Sequence, residues 1–112
     1  ALPISNLFVD QGADFSYTLN LASSLNDAFD LSNCTARGQI KRNYAALTAV
    51  DFTLTIDASA EDLAIELNAI QTKAMKPTRY VYDIELVSND VPAVVIRVLE
   101  GQLEVTPSVT SA

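Results

Sequence analysis

The chain has 112 residues, 49% apolar and 19% charged, which is enough for one domain with one core and too few for two. Its formal net charge of −7 opposes binding to free DNA or RNA, and the lack of histidine removes the side chain behind most proton-transfer and zinc chemistry. Cys34 is the single cysteine, so no internal disulfide can form and stability must come from an apolar core or from neighbours.

The N-terminus lacks a basic region followed by an apolar run, so no signal peptide is expected, and no window reaches the length of a membrane-spanning helix. In residues 1–12, Leu7 and Val9 alternate with Asn6 and Phe8, which suits a strand or arm. Phe15, Tyr17, Leu19 and Leu21 then share one face of a strand, with Ser16, Thr18 and Asn20 on the other. Ala36, Gly38 and Ile40 repeat the pattern, and so do Phe52, Leu54 and Ile56. Such period-two runs predict antiparallel strands with one buried and one wet face.

Residues 59–76 fit two readings. Leu63, Leu67, Ile70 and Ala74 have helical spacing, Ser59 with Asp62 fits a cap, and acids precede lysines as a helix dipole prefers. Yet Leu63, Ile65 and Leu67 also alternate, which allows a strand over 62–67 and a short helix over 69–75, capped by Asn68 and ended by Pro77. Local patterning favours the single helix.

Residues 79–87 put Tyr80, Tyr82, Ile84 and Leu86 on one face, with Asp83 and Glu85 on the other. Ser88, Asn89 and Asp90 supply turn chemistry, and 92–101 returns as the second half of a hairpin. Val94, Ile96 and Val98 oppose Val95, Arg97 and Leu99 there, a density that predicts cover on both faces. Pro92 suits the strand's start, Gly101 predicts a bulge or bend, and Leu103 and Val105 continue the pairing. The domain is expected to span 1–107, with 108–112 a short tail.

Candidate chemistry is sparse. Cys34 has no evident partner and reads as a structural thiol. The carboxylates cluster as Asp57, Glu61 and Asp62 and as Asp83 and Glu85, and both groups read as solvated positions without a calcium-loop pattern. Asn33-Cys34-Thr35 matches a glycosylation acceptor in form alone. Gly12, Gly38 and Gly101 are isolated, so no phosphate loop exists. Neither basic cluster (Arg37, Lys41 and Arg42; Lys73 and Lys76) is interleaved with aromatics as in a single-strand nucleic-acid groove. Tyr80 and Tyr82 read as core, and tryptophan is absent, which argues against a sugar-stacking platform. No catalytic, cofactor or metal residue is expected.

The succession FSYTLNL, DLSNCTARGQIKRNY, FTLTIDA, LNAIQTKAM, RYVYDIELV and VIRVLEGQLEVTPSVT resembles a family of small immunoglobulin-like β-sandwich domains in tailed-bacteriophage virions. YVYDIEL at 80–86 and RVLEGQLEVTPSVT at 97–110 are its most specific parts. Family members often carry a glycine before the arginine–tyrosine pair, where this chain has Lys76, Pro77 and Thr78, and an aromatic is common where Cys34 stands. The resemblance implies a mainly β, antiparallel immunoglobulin-like sandwich with one short helix near 69–75, and so selects the strand-plus-turn reading. It also implies a structural role in the virion, in tail or baseplate, through contacts with other virion proteins or copies of the chain. A capsid decoration protein and a host-surface carbohydrate-binding module are the alternatives. No nucleic acid, membrane or small-molecule partner is expected. Leu7, Phe8 and Val9 form the candidate assembly strand, which could add to an open sheet edge.

Overall fold

The computed structural model describes residues 5–21 and 30–109. Its elements are β1 (Leu7–Asp10), β2 (Phe15–Asn20), a 3-10 turn (Leu31–Asn33), β3 (Cys34–Lys41), β4 (Val50–Asp51), β5 (Thr53–Asp57), β6 (Asp62–Leu67), α1 (Ala69–Ala74), β7 (Arg79–Ser88) and β8 (Val95–Thr106). They form a five-stranded sheet in the order β1-β8-β7-β3-β4 and a three-stranded sheet in the order β2-β6-β5. With β2, β6 and β5 in the places of strands B, E and D, and β3, β7 and β8 in those of C, F and G, this is the immunoglobulin-like order. The expected fold class, mainly β with one short helix, is therefore observed.

Alternation decides which side chains enter the core. Tyr80, Tyr82, Ile84 and Leu86 of β7 point inward with Leu63, Ile65 and Leu67 of β6, and all are buried. Phe15, Tyr17 and Leu19 face the same core but stay half-buried, because β2 lies at the edge of the smaller sheet. Burying each large aliphatic side chain contributes about 1.5–3 kcal/mol.

The segment with two readings takes the strand-plus-turn form. Leu63, Ile65 and Leu67 sit inward on β6, which pairs with β2 and β5. Asn68 caps α1: its side chain accepts from the Gln71 N–H at 2.8 Å, and the Gln71 side chain accepts from the Asn68 N–H at 3.0 Å. A single helix would have taken Ile65 off the face that β6 buries.

Three expectations are corrected. The sandwich is not wholly antiparallel, because β1 lies parallel to β8, with Leu7 opposite Leu103 and Val9 opposite Val105. The irregularity in β8 falls at Val98 and not at Gly101: Ile84 pairs with Leu99 and Glu85 with Arg97, leaving Val98 as the extra residue. That bulge reverses the phase, so Val98 and Leu99 are both buried while Val95 remains exposed. The outer face of β8 is thus not covered.

Gly101 has a different task. A Cβ there would collide with the Ser5 carbonyl, because the segment before β1 crosses directly over it. The same carbonyl accepts a hydrogen bond from the Tyr82 hydroxyl, and the Ser5 N–H donates to the Glu100 carbonyl at 2.9 Å. The Tyr82 ring meets Phe52 edge-on, with centroids 5.9 Å apart and planes at 80°. At the start of β7, the Tyr80 hydroxyl donates to the Lys76 carbonyl at 2.9 Å, the tyrosine corner of immunoglobulin-like folds.

Replacing Tyr82 by Phe leaves the Ser5 carbonyl without this donor and should cost ~1–3 kcal/mol in urea unfolding. Burial pushes the Tyr82 phenol well above its ordinary value of 10.0. The unfolded chain therefore loses this proton first, and stability falls as pH rises past 10.0. The Tyr82→Phe variant should show a shallower alkaline decline than wild type, and an unchanged slope would refute the assignment.

Candidate interaction surfaces

Reactive groups come first. Among the described residues no group of three or more carboxylate or thiol side chains is arranged to hold a metal ion. Cys34 is half-buried at the start of β3, with its sulfur 3.5 Å from the Leu31 carbonyl. Burial, and then the charge of Asp30, push its thiol up, away from the thiolate that a nucleophile needs.

Both carboxylate groups have structural partners. Asp83 and Glu85 lie on the outer face of the larger sheet, where Arg97 approaches them at 3.5 and 3.9 Å and Arg37 meets Glu85 at 2.8 Å. Arg97 also reaches Glu100 at 3.3 Å, so the ion pairs link β3, β7 and β8. Asp57 accepts from the Ser59 hydroxyl at 2.8 Å and the Ala60 N–H at 3.2 Å, which hold its carboxyl below the ordinary value. Asp62 accepts from the Asn20 side chain at 3.0 Å, and Glu61 takes a positive φ of 55° at the turn. Asn33 of the acceptor triplet is tied to the β7–β8 turn, its carbonyl oxygen accepting from the Asn89 N–H at 3.1 Å.

The structure divides the candidate assembly strand. Leu7 and Val9 are 5% and 1% exposed and belong to the core, while Phe8 is 67% exposed on the outer face. One edge of β1 already pairs with β8 of the same chain. Sequence alternation found the strand but not its partner. Deleting residues 1–10 would remove two core residues and uncover β8.

The loops form two poles. At one lie the Leu31–Asn33 turn, the β5–β6 turn and the β7–β8 turn, where β3 and β8 begin and β5 and β7 end. Among the described residues this pole holds Asp30, Asp57, Glu61, Asp62 and Asp90, with no lysine or arginine. Val91 is fully exposed beside them, and Val94 is half-exposed.

The opposite pole carries the β1–β2 corner, the β3–β4 loop and α1. Thr72 binds the corner to the helix: its hydroxyl accepts from the Gly12 N–H at 3.0 Å and donates to the Ala13 carbonyl at 2.8 Å. Asp14 accepts from the Ala69 N–H at 2.8 Å. Lys41, Arg42, Lys73, Lys76 and Arg79 gather here, five of the seven cations of the chain. Arg42 lies over the Tyr80 ring at 5.6 Å, and Tyr80 reaches the Lys76 carbonyl, so Arg42 and Lys76 flank one aromatic side chain. Tyr44, Leu47 and Ile70 are 85%, 101% and 81% exposed at this pole. The basic clusters were visible in the sequence, but not that Lys41, Arg42, Lys73 and Lys76 share one end while Arg37 pairs with Glu85 on the sheet face.

No family model matches the chain, and no curated protein matches it. A solved structure of an internalin-like protein from Listeria monocytogenes is similar, with 18% identity and a TM-score of 0.50 over 96% of this chain. The chain spans 28% of that protein's length, and the likeness is one of fold.

Cys34 should react with iodoacetamide at neutral pH several-fold more slowly in the native chain than in urea, because its thiol is pushed up and half-covered. Faster labelling in the native state would mean an activated thiol and would reverse this reading.

Proposed function

We propose that the chain is a structural protein of a tailed-bacteriophage virion, a tail or baseplate module that works by protein–protein contact and not by catalysis. The resemblance of residues 80–86 and 97–110 to small immunoglobulin-like virion domains carries this reading. The placement of side chains supports it. The sandwich buries its alternating apolar faces internally, while Tyr44, Leu47, Ile70 and Val91 stand exposed on the loops and helix at its two ends. Apolar groups held out on short loops and a capped helix suit contact with neighbouring subunits, where their burial adds to affinity. The partners are other virion proteins or further copies of the chain.

The decisive experiment is mass spectrometry of purified virions and of their separated heads and tails. The protein should be found with tails, at a fixed ratio to the other tail components. Recovery with heads would make it a capsid decoration protein, and absence from virions would overturn the reading.

Phe8 gives a second test, because it is exposed between two core residues on an edge strand. Phe8→Ala should change folding stability by less than ~0.5 kcal/mol. If this edge is an assembly contact, the variant should enter virions poorly. Normal incorporation would remove β1 from the interface.

A further inference from the structure

We infer that the open edge of β3 takes up an extended segment of a partner protein, which adds to the larger sheet in line with β4. The inference rests on the reading of the chain as a contact module, and names the surface and the chemistry of its partner. β3 pairs with β7 along its whole length, from Cys34 opposite Ser88 to Lys41 opposite Val81. On its other side β4 covers only Gln39 and Ile40. The Phe52 N–H then donates to the Gly38 carbonyl at 3.1 Å, and the chain crosses to β5 of the smaller sheet. That bond fixes the side to which the backbone groups of Gly38 point, and alternation turns those of Cys34 and Ala36 the same way. The Asn33 carbonyl has the opposite phase, since it accepts from Asn89 beyond the end of β7. Among the described residues, the N–H and C=O of half-buried Cys34 and Ala36 therefore have no backbone partner. A groove of about 680 Å³ lies beside this edge, with Ala36, Gly38 and Leu54 at its floor and Arg37, Asp51 and Glu85 at its rim. Unpaired backbone groups along a strand edge are a template for another strand. The outer edge of β1 offers less, because the Asp10 carbonyl is taken by the Ala13 N–H and the hollow there is about 200 Å³.

The geometry also sets the chemistry of the occupant. Side chains of an added strand alternate, and the one opposite Ala36 points inward, towards half-buried Ala36 and Leu54, so it is apolar. Its neighbours point outward, over a face where Asp51, Asp83, Glu85 and Glu100 outnumber Arg37 and Arg97. Arg37 is drawn to Glu85, and Arg97 to Asp83, Glu85 and Glu100. Asp51 makes no ion pair among the described residues, and its carboxylate accepts from the Gln39 amide at 2.9 Å. A lysine or arginine pointing outward from the added strand meets this uncompensated carboxylate. The partner is thus an extended segment in which apolar and basic residues alternate. A second copy does not fit by its own β3 edge. With Ala36 opposite Ala36 in two antiparallel copies, the β4 of each would fall on the Leu31–Asn33 turn of the other.

Amide NMR of the full chain, titrated to millimolar concentration with an acetylated and amidated pentapeptide of alternating valine and lysine, tests this. Shift changes should centre on Cys34 to Gly38, and the Ala36 amide should exchange with solvent several-fold more slowly. The same peptide methylated on its backbone nitrogens should lose binding, because it can no longer donate to the edge. A peptide with glutamate in place of lysine should bind several-fold more weakly. In the chain itself, Ala36→Pro removes the edge donor without touching the β3–β7 pairing, a change that edge strands tolerate, and should abolish the shifts. Circular dichroism matching the wild type confirms that the variant folds, and the methylated peptide carries the same test should it not. No binding, shifts centred on β1 or on the acidic pole, equal binding of the methylated peptide, or equal binding of the glutamate peptide would each overturn the inference. The virion measurement is independent of these results, so a chain found in tails that ignores the peptide would leave the assembly reading standing.

Discussion

The hydrogen bond from Tyr82 to the carbonyl of Ser5 is the contact on which the arrangement of the larger sheet turns. Tyr82 sits in the middle of β7, directly opposite Gly101 of β8. Its hydroxyl would be a buried polar group without a partner if the N-terminal segment were elsewhere. Ser5 supplies the acceptor, Gly101 leaves room for the crossing, and β1 is thereby delivered to the free edge of β8. The ring of Tyr82 also braces Phe52, where the chain passes from β4 in one sheet to β5 in the other. One side chain thus joins the first strand, the central hairpin and the crossing between sheets.

A second set of polar contacts controls the far end. Thr72 is fully buried yet satisfied, because its hydroxyl serves both Gly12 and Ala13 at the corner where the chain leaves β1 for β2. The Gln11 side chain adds a bond to the Met75 carbonyl at 3.0 Å. Helix α1 is too short to be stable through its own hydrogen bonds. Its cap by Asn68 and its contacts with the corner hold it in place. This explains how a segment with helical spacing becomes mostly strand: burial of Leu63, Ile65 and Leu67 on β6 outweighs the local preference of the residues before Asn68.

The same topology sets the charge pattern that bears on function. Strand direction carries the β5–β6 and β7–β8 turns to one end and the β3–β4 loop and α1 to the other. Carboxylates without a described cation fill the first set, while cations and carboxylates are mixed in the second. The faces of the sheets are by contrast balanced or modest in charge, as the Arg37, Arg97, Asp83, Glu85 and Glu100 ion pairs illustrate. Exposed ion pairs of this kind contribute little to stability.

Much was legible from the residues alone. Period-two alternation determined the strands and the inward faces of β2, β3, β5 and β7, because a pleated strand sends successive side chains to opposite sides. The lack of histidine and the single cysteine bounded the chemistry without any fold. The strand-plus-turn form of residues 62–75 came from resemblance, since local periodicity supported both readings. Tertiary structure alone decided the parallel place of β1, the bulge at Val98, the crossing over Gly101 and the tyrosine corner at Tyr80. It also decided that Leu7 and Val9 belong to the core and that Asp30, Asp57, Glu61, Asp62 and Asp90 share one end. Each of these depends on which distant segment lies beside a residue, and alternation along one strand specifies a face but not a neighbour.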